Sequence, residues 1–239
     1  MQVRFDQPTV RFFRELRYRP NGADGRPAPV ELSGTIDLTP QGTISQVHVF
    51  FGDKMGSQLP EGALTFHTHT VPVDQAETMD MSTDSPSPAD LASVALAIVF
   101  RGAREHLVFT PHYVYAISLY AETFSAMKQK SSTMSSSELE TTLSRDLEAK
   151  YDELTRKHGQ NFGAPFITDW MTEVRNMGID MRRFEMGQDV VFSMGPFDSK
   201  PVEPFFLTDD KSGSLEDAIV FTAVGAIIGI GLWALRRKK

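Results

Sequence analysis

One segment constrains this chain more than any other. From Ala218 to Leu235 it reads AIVFTAVGAIIGIGLWAL, 18 residues without a charge. As an α-helix rising ~1.5 Å per residue it would cover ~27 Å, close to the ~30 Å hydrocarbon core of a bilayer. Trp233 stands near one end, where an amphipathic ring suits the membrane interface. Asp209, Asp210, Glu216 and Asp217 precede the segment, and Arg236, Arg237, Lys238 and Lys239 follow it. The pattern predicts one transmembrane helix over 218–235, a basic tail over 236–239 and the lipid bilayer as a partner. Gly225 and Gly229 have the spacing that packs two membrane helices closely, which points to a homodimer or a larger assembly. The N-terminus carries Arg4, Arg11, Arg14, Arg17 and Arg19 with no continuous apolar run, so no secretory signal is read there. The expectation is a tail-anchored, single-pass protein with a cytosolic body, in an organelle, outer mitochondrial or viral membrane. The positive-inside rule alone would favour the opposite orientation.

Composition narrows the chemistry. The 239 residues are 41% hydrophobic and 23% charged, as in ordinary globular domains, which excludes collagens, coiled-coil rods and wholly disordered chains. Cysteine is absent. Disulfides, thiolate metal sites and a cysteine nucleophile are excluded, and any metal must be held by His, Asp or Glu. A net charge of −7 argues against a nucleic-acid-binding surface.

The organisation before the apolar segment is mixed. Val10, Phe12, Phe13, Leu16 and Tyr18 alternate loosely over 8–20, and PNGADGRPAP (20–29) reads as an exposed loop. Residues 30–38, 44–52 and 62–69 have the period-two pattern of strands, punctuated by Pro40, Gly42, Gly52 and Pro60. Residues 70–86 read as a polar loop. Residues 87–103 read as a helix with Ser87 as N-cap, Pro88 at the first helical position and Asp90 in the first turn. Residues 106–120 read as a strand pair broken at Pro111, and SSTMSSS (131–137) as a linker. Ser137 with Glu140 forms a capping-box pattern, followed by Leu139, Leu143, Leu147 and Leu154 at helical spacing. Residues 166–178 read as a helix and 181–194 as a last strand pair. The expected class is α/β (α+β), a mixed β-sheet flanked by helices plus the C-terminal membrane helix. The expected division is a domain over 1–200, a tether over 201–217, the membrane helix and the tail.

His67 and His69 carry the chemistry. On a strand, residues i and i+2 share a face, so two imidazoles can reach one ion. An HxH pair alone is a weak sign; Asp90, in the first turn of the following helix, can be aimed back at the strand end as a third ligand. Two His and one Asp leave zinc a fourth position for water, the catalytic arrangement. Glu31 lies in a strand that is otherwise small or apolar. Such a carboxylate is costly to bury unless paired or used, or it simply points to solvent with Ser33 and Thr35. His48, His106, His112 and His158 read as structural or surface groups.

Glu31 followed by Ser33-Gly34, then His67-Thr68-His69, then Ser87-Pro88-Ala89-Asp90, resembles the JAMM motif of the JAB/MPN domain zinc metalloproteases, over roughly residues 9–120. Thr70 stands where that family usually has proline, and the 17 residues between His69 and Ser87 exceed its commonest spacing. The resemblance implies an MPN/JAB-like fold with Zn²⁺ held by His67, His69 and Asp90. It implies that Glu31 moves the proton of the attacking water and that Ser87 hydrogen-bonds the oxyanion. The implied activity is that of an isopeptidase or deubiquitinase acting on ubiquitin or ubiquitin-like conjugates. The competing expectation is a catalytically silent MPN-fold scaffold, or a structural membrane component of a virion or organelle complex.

Overall fold

A computed structural model of the chain describes residues 1–16, 31–51, 59–69, 84–159, 162–194 and the backbone of 219–222. The centre is a seven-stranded mixed sheet. In chain order its strands are β2 (Leu32–Leu38), β3 (Ile44–Phe51), β4 (Leu64–Thr68), β5 (Glu105–Phe109), β6 (Tyr113–Leu119), β7 (Ile179–Glu185) and β9 (Ile219–Thr222). Their spatial order is β7-β6-β5-β4-β2-β3-β9. Only β4 and β5 run parallel. A parallel pair needs a long crossover, and helix α2 (Pro88–Phe100) supplies it.

The two sheet faces have different cover. On one lie α2 and the helices α3 (Ala121–Lys130), α4 (Ser136–His158) and α5 (Ala164–Asn176). Helix α2 is apolar nearly all round, with Leu91, Ala92 and the run Val94–Val99 buried. Such a helix must be covered on both sides, by the sheet and by α4, whose Leu147 and Leu154 are also buried. On the other face lie β1 (Gln2–Phe5), α1 (Gln7–Leu16) and β8 (Val190–Ser193). Phe13 of α1 stacks on Phe109 at 4.3 Å and meets Phe66 edge-on at 5.0 Å, fixing α1 to the centre of the sheet.

Four sequence expectations change. The transmembrane helix over 218–235 is contradicted. Ile219–Thr222 is strand β9, paired antiparallel with β3 in the register Gln46↔Thr222 to Val49↔Ile219. Its residues IVFT are β-branched or aromatic, the types that suit a pleated surface. Among the described residues no helix is long and apolar enough to cross a membrane. The remaining residues of that segment, Gly225, Gly229 and Trp233 among them, lie outside the described residues, as do 195–217 and 236–239. Residues 7–16 form a helix, with Val10 and Phe13 buried three positions apart. The capping box of α4 is Ser135 with Glu138, two residues earlier than the Ser137–Glu140 pattern. The strands of 181–194 do not pair with each other: β7 pairs with β6, and β8 with β1.

Candidate metal centre

The ends of β2, β4 and α2 bring four side chains together. Ser33 of β2 pairs with His67 of β4, and the Leu32 N–H donates to Thr68 Oγ1 at 3.2 Å. These bonds hold the start of β2 against the end of β4, so Glu31 stands beside His69. Residue 69 is one step beyond β4, and its N–H donates to the Phe109 carbonyl at 2.9 Å. That bond carries the strand alignment of β4 with β5 one residue further and sets the His69 backbone.

Asp90 is positioned by its own helix start. The Ser87 N–H donates to Asp90 Oδ2 at 2.7 Å, and the Asp90 N–H donates to Ser87 Oγ at 3.1 Å. This reciprocal cap leaves the carboxylate facing the sheet. Asp90 Oδ2 lies 3.2 Å from His69 Nε2, and Asp90 Oδ1 lies 3.7 Å from His67 Nε2. One ligand atom from each of His67, His69 and Asp90 falls within 4.8 Å of the others.

The segment entering α2 is pinned from below. Asp84, only 2% exposed, accepts from Thr110 Oγ1 at 2.7 Å, the His112 N–H at 3.0 Å and His112 Nδ1 at 2.7 Å. Tyr115 donates its hydroxyl to the Asp84 carbonyl, and Trp170 its indole N–H to the Pro86 carbonyl at 3.0 Å. Residues 84–87 are therefore held by the turn between β5 and β6, by β6 and by α5 together, which fixes where Ser87 and Asp90 sit.

Electrostatics set the protonation states. Burial lowers the His67 pKa to about 4, an effect that Asp90 opposes and His69 reinforces, so its ring is neutral at pH 7. Burial lowers His106 well below its ordinary value too. Asp90 is held far below the carboxylate range: burial raises it, but the His69 hydrogen bond, the two imidazoles and the Ser87 N–H outweigh that. Glu31, half-buried, is raised by burial; His69 opposes this and Asp90 adds to it. The site thus holds one firmly ionised carboxylate beside a neighbour that takes a proton more readily than an ordinary glutamate.

His67 Nε2 fits a metal ligand. It is buried and has no hydrogen-bond partner, while its ring partner atom Nδ1 lies 2.7 Å from His106 Nε2. A neutral imidazole nitrogen left orphaned beside a second imidazole and an ionised carboxylate is a donor without a use until a cation arrives. The His-His-Asp group can hold a metal ion.

Of the five residues singled out from the sequence, the fold brings His67, His69 and Asp90 together, sets Glu31 within electrostatic reach of His69 and Asp90, and uses Ser87 as the cap that orients Asp90. His48 and His158 are tied to Asp37 and Asp169, as surface groups. His112 is tied to the buried Asp84. His106 is structural and not a surface group: it is fully buried and lies between Thr65 and His67. The signal that finds it is register, since His106 aligns with Thr65 across the parallel pair and His67 follows two residues later on the same face. Comparison with protein families, with curated proteins and with solved structures returned no match.

Proposed function

We propose that this chain is a zinc-dependent isopeptidase of the JAB/MPN kind, hydrolysing amide bonds in ubiquitin or ubiquitin-like conjugates. The observation that supports it is the convergence of His67, His69 and Asp90 around an orphaned imidazole nitrogen, with Glu31 beside them. Two imidazoles and one carboxylate, with no thiolate in the chain, are a donor set that suits zinc and leaves a position open. Bound zinc supplies Lewis acidity, polarising a carbonyl and bringing the pKa of water near 7.

The protein's own groups do the rest. Glu31, with its raised pKa, accepts the proton of the attacking water and hands it to the leaving amine; a base poised nearer neutrality does this best. Asp90 stays ionised and orients His69. Ser87 accepts from the Asp90 N–H, and its own hydroxyl hydrogen has no acceptor among the described residues. It is available to a developing oxyanion, a contact typically worth ~3 kcal/mol.

The test is cleavage of an isopeptide-linked ubiquitin dimer by the zinc-loaded full chain, beside Glu31→Gln. The expected result is cleavage by the wild type, and zinc retained but cleavage down ~10²-fold or more in Glu31→Gln. A wild type that holds zinc and cleaves nothing would leave the scaffold reading in its place.

A further inference from the structure

Beneath the candidate centre runs a chain of three buried groups. Thr65 Oγ1 lies 2.7 Å from His106 Nδ1, and His106 Nε2 lies 2.7 Å from His67 Nδ1. Thr65 and His106 are 0% exposed and His67 is 3% exposed. The rings of His67 and His106 have centroids 4.9 Å apart and are inclined by 34°. The arrangement follows from register: Thr65 and His67 share one face of β4, and His106 stands on the same face of β5, opposite Thr65.

We infer that His106 is the positioning residue for the metal ligand His67, fixing its ring through a hydrogen-bond chain that ends on Thr65. The inference rests on the metal-centre reading above and extends it to residues outside the ligand set.

The order of protons along the chain follows from the chemistry of neutral imidazole, which has one N–H and one lone pair. His67 Nδ1 is engaged by His106, so only Nε2 can face a metal. A lone pair given by Nε2 requires the hydrogen on Nδ1, which donates to His106 Nε2. His106 Nε2 then accepts, so its own hydrogen is on Nδ1 and donates to Thr65 Oγ1. Each group is left with a single role, and the His67 ring can neither flip nor carry a hydrogen where the metal belongs. A ligating histidine is commonly oriented in this way by a carboxylate or carbonyl, and loss of such a partner typically costs 10–100-fold in metal affinity.

The variants are His106→Phe, which keeps the ring volume and removes the acceptor, and His106→Gln, whose side-chain oxygen can accept from His67. Zinc alone is the probe, titrated into the metal-free full chain against a chromophoric chelator. The expected result is a 10–100-fold weaker zinc affinity in His106→Phe at unchanged secondary structure, with most of it recovered in His106→Gln. Nitrogen-15 spectra of the zinc-loaded wild type provide a readout that packing alone would not move: His67 and His106 are both expected to carry their hydrogen on Nδ1. Undiminished zinc affinity in both variants, or a His106 hydrogen on Nε2, would overturn the inference while leaving the metal centre standing. A wild type that takes up no zinc would overturn the metal-centre reading itself. If His106→Phe fails to fold, His106→Gln and the wild-type spectra still decide.

Discussion

Gly34 shows how closely the sheet beneath the centre is built. An alanine Cβ there would lie 2.1 Å from the His48 carbonyl oxygen and 2.3 Å from Phe66 Cε1. Ordinary contacts begin near ~3.4 Å, so something must move by more than ~1 Å. Phe66 is boxed in by Phe13 at 5.0 Å and Phe109 at 6.1 Å, and the His48 oxygen belongs to the paired strand β3. Neither neighbour gives easily. Overpacking of this sort costs ~1–3 kcal/mol, here at the upper end, and the gain from removing a glycine from a strand returns ~0.5–1. The net expectation for Gly34→Ala is a loss of about 2 kcal/mol, or ~4–8 °C in Tm for a chain of this size. Gly102→Ala is the control. Its φ of +74° strains an alanine, but nothing lies within 4 Å, so the expected loss is only about 1 kcal/mol. Urea unfolding of both variants in parallel is the assay. A Gly34→Ala protein as stable as wild type, or less affected than Gly102→Ala, would refute the steric reasoning. It would also remove the physical reason for a glycine after Ser33.

Two further outcomes are expected. The metal-free protein should lose stability as pH falls from 6.5 to about 4, because the unfolded chain protonates His67 in that window while the folded chain does not. The shift corresponds to about 3 kcal/mol, with His106 acting in the same direction. Asp90, depressed in the fold, adds its own loss only below pH 3.8. Urea midpoints measured across the window check this, and a flat profile would contradict it. Trp170→Phe should cost about 1–3 kcal/mol by leaving the Pro86 carbonyl without its indole donor, and it should loosen the segment that carries Ser87. Thermal melts and zinc affinity, measured together, test that expectation.

Much of the centre was legible because its geometry is local. His67 and His69 sit two apart at a strand end, and Asp90 and Ser87 are bound by one capping box, so spacing alone groups each pair. What escaped was set by contacts distant in sequence. His106 lies 39 residues from His67 and meets it only through the parallel pairing of β4 with β5. The partner of β8 is β1, at the other end of the chain, and no local pattern encodes that choice. Helix α1 is short, and the apolar Phe12 beside its buried Val10 and Phe13 gives the sequence a loose alternation that hides the helical spacing. The apolar run after Ala218 reads as a membrane helix by hydropathy, yet its first residues find backbone partners on the open side of β3. A run of β-branched residues satisfies either environment, and hydropathy does not distinguish them.

The most direct test of the account is the zinc content of the full chain after reconstitution, measured beside the His67→Ala/His69→Ala protein. About one zinc per wild-type chain and none in the double variant are expected, with the same fold in both. A folded wild type that retains no zinc, or a double variant that retains as much as the wild type, would contradict it.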